Sequence, residues 1–196
     1  MSSAYTPGDF YFEEVSSQPE AWAKIIPLVT DQKKAIQELF EGIDEVIFTG
    51  CGSGYNASLC GAPIFQTLTG IPTRAVPAAD TYLFPQSVLS DGWRSLAIII
   101  SRSGETTEVV QSLDYLRDQG VRTLGITSVS YTHLRAHETL AFVLSPVVER
   151  SVVTTRSLTG MILTTQLMAA IIAGDEATMD DLQRLPMVCK PHMQTF

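Results

Sequence analysis

A chain of 196 residues, 45% apolar and 17% charged, is long enough for one well-packed domain and short for two. Its formal net charge of -8 argues against a nucleic-acid or anionic-membrane partner, although backbone amides and one arginine can still hold a small anion. The three cysteines, Cys51, Cys60 and Cys189, fit no zinc spacing and read as reduced thiols of a cytoplasmic protein, and no basic start followed by an apolar run marks a secretion signal.

Residues 1–9 read as a loose arm. Over 19–42 the residues Trp22, Ile25, Ile26, Val29, Ile36, Leu39 and Phe40 fall near one face and predict a helix, kinked or split by Pro27 and ended by Gly42. Residues 1–42 thus form an N-terminal arm and helix. The pattern then alternates over 43–174. EVIFT at 45–49 is a buried strand that runs into GCGSG at 50–54 and a helix over 55–68. A short strand follows at 73–76, then a helical turn at 79–83 ended by Pro85, then the apolar strand LAIII at 96–100. A helix over 105–119 closes at Gly120, strands follow at 122–127 and 142–145, and a long helix over 155–173 stops at Gly174. Residues 175–185 add a further helix. The run 161–173 is apolar, but Thr164, Thr165 and Gln166 interrupt it, so it reads as too polar and short for a membrane span. Strands alternating with helices imply an α/β domain, its parallel sheet covered on both faces.

VSYTHLRAHET at 129–139 breaks this rhythm. It matches the translation of a transposase adapter used in shotgun sequencing and reads as foreign to the fold; an ordinary polar segment is the alternative. Its HxxxH pair, His133 and His137, could ligate a metal from one helix face, but on the adapter reading no metal site is assigned. His192 lies in a short tail without a motif.

Three segments carry candidate chemistry. GCGSG at 50–54 lies at a strand's carboxyl end, where open parallel sheets bind ligands. A plain strand-to-helix turn is one reading. A dinucleotide loop is another, since Gly52, Gly54 and Ala57 fit its looser form, but the acid after the second strand is missing. SRSGET at 101–106 gathers two serines and a threonine where a strand gives way to a helix, so hydroxyls and first-turn amides can bind phosphate oxygens. Helix capping by Ser103 is the compatible alternative. The segment 149–159 (ERSVVTTRSLT) offers amides, hydroxyls and two arginines; taken by itself, a capped helix start with solvated arginines accounts for it better.

Together GCGSGYNAS, ISRSGETTEVV and ERSVVTTRSLTGMILTTQL resemble the sugar isomerase (SIS) domain family, and EEVSSQPEAW at 13–22 is similar to the segment that often precedes its first domain. The resemblance spans roughly 12–175 apart from 129–139. It implies a three-layer αβα sandwich, flavodoxin-like, with a five-stranded parallel sheet that binds a phosphorylated sugar or amino sugar without a cofactor. By correspondence the phosphate ligands are Ser101, Ser103 and Thr106, with Arg102 adjacent, and the sugar lies along Gly52, Ser53, Gly54 and the backbone of Val152; Gly54 stands where relatives often have serine. The nearest patterns belong to tandem-SIS enzymes: the isomerase half of glucosamine-6-phosphate synthase, fructosamine deglycases and amino-sugar isomerase/deaminases. On that model 175–196 is a connector to a second SIS domain holding the catalytic base, and the chain is a fragment. Within it Glu149, at a strand end, is the best-placed carboxylate. A sugar-phosphate sensor of the regulator type and a single-SIS isomerase acting as an oligomer are the alternatives. A homo-oligomer or tandem partner domain is the implied assembly.

Overall fold

An apolar stripe at helical spacing gives way at Glu45 to unbroken apolar runs, and the architecture changes at the same place. The computed structural model describes residues 8–128, 140–143 and 149–193. Its elements in chain order are α1 (Asp9–Ser16), α2 (Gln18–Thr30), α3 (Lys33–Phe40), β1 (Glu45–Gly50), α4 (Ser53–Thr69), β2 (Thr73–Pro77), α5 (Asp80–Leu83), α6 (Pro85–Val88), β3 (Ser95–Ile100), α7 (Thr107–Asp118), β4 (Arg122–Thr127), β5 (Leu140–Val143), α8 (Arg156–Ala173) and α9 (Glu176–Met193).

The strands form a parallel sheet in the order β2-β1-β3-β4-β5. All six residues of β1 and of β3 are buried, because helices cover both faces and neither side of the strand meets water. Side chains alternate across the sheet as pleating requires. Leu96, Ile98 and Ile100 join a large core with Val46, Phe48 and residues of α2, α3, α4 and α8. Ala97 and Ile99 point the other way and pack on Val109, Leu113 and Leu116 of α7. The helix 156–173 does have the length and mean hydropathy (1.3) of a membrane span, contrary to the expectation from its threonines, yet 61% of it is buried. Its apolar character is accounted for by packing against α4 and α2 in the main core.

Several boundaries differ from the sequence reading. The arm contains helix α1, which no apolar stripe announces. Pro27 is accommodated inside α2, and the chain divides four residues later, where the Asp31 amide donates to the Pro27 carbonyl and Gln32 to Val29. Pro85 opens α6 instead of ending α5, because its fixed φ and missing N–H suit a first helical turn. The fifth strand starts two residues earlier than expected, in a register set by β4, with Leu124 opposite Leu140 and Thr127 opposite Val143. The last helix runs past Pro186 to Met193, held by Leu182, Leu185, Cys189 and Met193 against the core. The segment 129–139, with His133 and His137, lies outside the described residues.

Candidate functional site

The order β2-β1-β3 reverses direction between β1 and β3, and a crevice opens at such a reversal beyond the carboxyl ends of the strands. Gly50 of β1 and Ile100 of β3 are paired there, so the loops that follow them start side by side. Both loops turn directly into helices, α4 and α7.

The first loop depends on two glycines. Gly52 has φ 52 and ψ -121, a conformation that side-chain-bearing residues rarely adopt. Gly54 packs so closely on β3 that an added Cβ would lie 2.3 Å from the Ile100 carbonyl oxygen. The chain therefore brings helix backbone directly against the neighbouring strand. Cys51 follows Gly50 and is half-buried; burial, with the Glu108 carboxylate adding to it, pushes its thiol up and leaves a poor nucleophile.

The second loop, 101–106, is held by its own polar groups. The buried Ser101 hydroxyl accepts from the Gly104 amide at 3.1 Å, and the exposed Ser103 hydroxyl accepts from Glu105 at 3.3 Å. The Arg102 carbonyl is anchored on the end of β4 by the Ser128 amide and by the hydroxyls of Thr127 and Ser128. Helix α7 begins only at Thr107. Ser103 therefore does not cap it, contrary to the capping alternative, and Thr106 occupies the N-cap position instead of the first turn. The Thr106 side chain makes no cap bond, and among the described residues no other side chain closes the amino end of α7.

The third loop, 149–155, differs. Glu149 accepts the Thr155 amide and hydroxyl at 2.7 and 2.8 Å, and the Ser157 amide and hydroxyl at 2.8 and 2.5 Å. Its carboxylate thus occupies the amino end of α8, where the helix dipole favours a negative charge. Its side chain is only 3% exposed, and the Arg102 guanidinium lies 3.5 Å from it.

Two hydrogen bonds join the loops, in addition to the Arg102–Glu149 ion pair. Arg102 Nη1 donates to the Val152 carbonyl at 3.2 Å, tying the second loop to the third. The Thr154 hydroxyl donates to the Ser53 hydroxyl at 2.6 Å, tying the third to the first. Val152 stands 91% exposed, with its carbonyl taken by Arg102. The nominated residues Ser53, Arg102, Glu149 and Val152 are thus brought together. Thr154, Ser151 and Glu14 also belong to this network and were not singled out by the sequence. For Glu14 the only sequence signal was its place in EEVSSQPEAW, to which no role was attached.

The SIS domain family model matches residues 39–171. The chain is 29% identical, over 87% of its length, to glutamine–fructose-6-phosphate aminotransferase from Chlamydia caviae, of which it spans 29%. Among solved structures it is similar to a glucosamine-6-phosphate deaminase from Thermotoga maritima, with 33% identity, a TM-score of 0.64, and 84% of this chain and 54% of that one covered. The C-terminal domain of glucosamine-fructose-6-phosphate aminotransferase from Francisella tularensis shares the fold, with a TM-score of 0.81 at 24% identity, over 94% of this chain and 56% of that one. The parallel sheet, the glycine turn at its switch point and the serine loop beside it lie within the matched span, and the chain belongs to the SIS domain family.

Proposed function

We propose that this domain binds a phosphorylated sugar, its phosphate seated on the 101–106 loop at the amino end of α7 and its sugar directed toward Ser53 and the Val152 backbone. The observation that carries this reading is the contrast between helix termini. The amino end of α8 already holds the Glu149 carboxylate, whereas among the described residues no side chain caps α7. An anion arriving at the crevice meets first-turn amides and a helix macrodipole beside Ser101, Ser103 and Thr106, with Arg102 adjacent and the amino end of α4 opening next to them. Relatives named as an aminotransferase acting on fructose 6-phosphate and as a glucosamine-6-phosphate deaminase point to a hexose phosphate or amino-sugar phosphate as the ligand class.

Interconverting such sugars requires a carboxylate to move a proton between neighbouring carbons. Glu149 fits that task poorly. Its oxygens take four hydrogen bonds from Thr155 and Ser157 and face Arg102, so its acceptor sites are engaged. The reading is therefore binding, with little turnover by this chain alone, and Glu149 holds the loop instead of acting as the base. A thermal-shift screen with inorganic phosphate, fructose 6-phosphate and glucosamine 6-phosphate tests it. Stabilisation is expected with at least one sugar phosphate. Ser103→Ala, which removes one neutral donor to a charged ligand, is expected to weaken binding roughly tenfold to a hundredfold. No shift with any of the three ligands would sink the binding reading, and robust isomerase turnover by the isolated chain would overturn the role given to Glu149.

A further inference from the structure

One buried carboxylate lies outside the three loops and still reaches the third. Glu14, on α1, is 2% exposed. Its Oε1 accepts the Arg150 amide at 2.5 Å and the Ser151 amide at 3.1 Å. Its Oε2 accepts the Ser151 hydroxyl and, at 3.1 Å, the Thr155 hydroxyl. Burial opposes ionisation of this carboxyl, but the four donors outweigh it and hold the group below the ordinary carboxylate value.

The character of α1 makes this contact informative. Tyr11 and Phe12 are half exposed, and among the described side chains of α1 only Glu14 is buried. A helix whose single buried side chain is charged adds little to a core. What it contributes is a carboxylate delivered to a loop 136 residues away in sequence. The neighbouring residues follow the same line. Arg150 stacks on the Phe10 ring at 5.3 Å, and Arg156 donates to the Ser17 hydroxyl at 2.9 Å. The Thr159 hydroxyl donates to Gln18 at 2.7 Å and accepts from the Trp22 indole at 3.1 Å. The backbone so fixed is the stretch that presents the Val152 carbonyl to Arg102 and the Thr154 hydroxyl to Ser53.

We infer that the leading helix α1 is a strap that shapes the sugar side of the crevice, with Glu14 as its positioning residue. Glu14 fixes the two amides and two hydroxyls that set the course of 150–155, and so selects for the sugar and not for the phosphate. This rests on the phosphosugar reading above. The 101–106 loop, anchored on β4 and on its own serines, is held by other bonds and keeps its phosphate-binding form without Glu14.

The difference between two ligands tests it. Affinities of the full chain for inorganic phosphate and for fructose 6-phosphate are measured by titration calorimetry in the wild type, Glu14→Ala and Glu14→Gln. Glu14→Ala is expected to weaken fructose 6-phosphate about tenfold or more while inorganic phosphate changes by less than about twofold. Glu14→Gln, which keeps the acceptor for the Arg150 and Ser151 amides, is expected to fall between wild type and alanine, and it carries the comparison if the alanine variant does not fold. Equal loss for both ligands, or no loss for either, overturns the strap. A wild-type chain that binds inorganic phosphate but gains nothing from the sugar overturns it too. Silence of the wild type toward both ligands instead sinks the phosphosugar reading, and the inference with it.

Discussion

At Gly54 the strand-to-helix turn comes so near β3 that a side chain has no room: an added Cβ would meet the Ile100 carbonyl oxygen at 2.3 Å. The obstacle is backbone, which cannot swing aside as a flexible side chain can. Gly54→Ser is therefore expected to destabilise this chain by about 1–3 kcal/mol and to lower Tm by several degrees in a thermal melt. An unchanged Tm would show that the turn relaxes at no cost. Asp44 gives a second residue-scale prediction. Arg94 donates to it through its amide, Nε and Nη2 at 2.9 to 3.0 Å, and the guanidinium holds its carboxyl down at about 2. A carboxyl depressed in the folded state contributes stability above its ordinary value, here 3.8, and loses it as pH falls through the folded value. The Tm gap between wild type and Asp44→Asn should be full at pH 7, narrow below about pH 4 and close near pH 2. A gap that stays constant down to pH 3 would contradict this. Single positions of this kind were only half legible in the sequence. A glycine after a strand is visible as a turn, but that Gly54 abuts Ile100 is a fact about two segments 46 residues apart.

Elements were read more easily where one force dominates. The fully buried, largely apolar β1 and β3 and the periodic α2 and α3 were visible because burial leaves its pattern in the sequence. The amphipathic but weakly apolar α9 was cut short at Pro186, since proline removes a backbone donor and disfavours helix. Tertiary contacts override that local preference: Leu182, Leu185, Cys189 and Met193 pack against the core on either side of Pro186, and Lys190 pairs with Glu20 at 3.0 Å. Pro186 should then be a tolerated defect. Pro186→Ala is expected to stabilise the chain, by at most about 3 kcal/mol, and to raise far-ultraviolet helicity and Tm together. A lowered Tm would mean that the proline ring itself makes packing contacts that the alanine loses. Helix α1 marks the opposite limit, because its buried group is a carboxylate and its stripe carries no apolar signal.

For the whole molecule, the strand order β2-β1-β3-β4-β5 in the sheet decides where a ligand can sit. The reversal between β1 and β3 gathers the amino ends of α4 and α7, and the third loop closes over them through Arg102 and Thr154. Ligand that binds only this assembled crevice must stabilise the entire fold. A sugar phosphate at a hundredfold excess over its Kd should add about 2.7 kcal/mol, a Tm rise of roughly 5–10 °C, growing with the logarithm of concentration. A shift that saturates at a degree or two would place the ligand on a part that melts separately. The sequence by itself determined the alternation of strands and helices and the three polar loops, because those follow from local periodicity and from residues adjacent in the chain. Only the tertiary structure decided that Glu149 fills the amino end of α8 while no described side chain caps α7, and that Glu14 reaches across from α1. Such pairings join residues up to 141 positions apart, and the cost of burying each carboxylate is offset by donors that no local pattern in the sequence reveals.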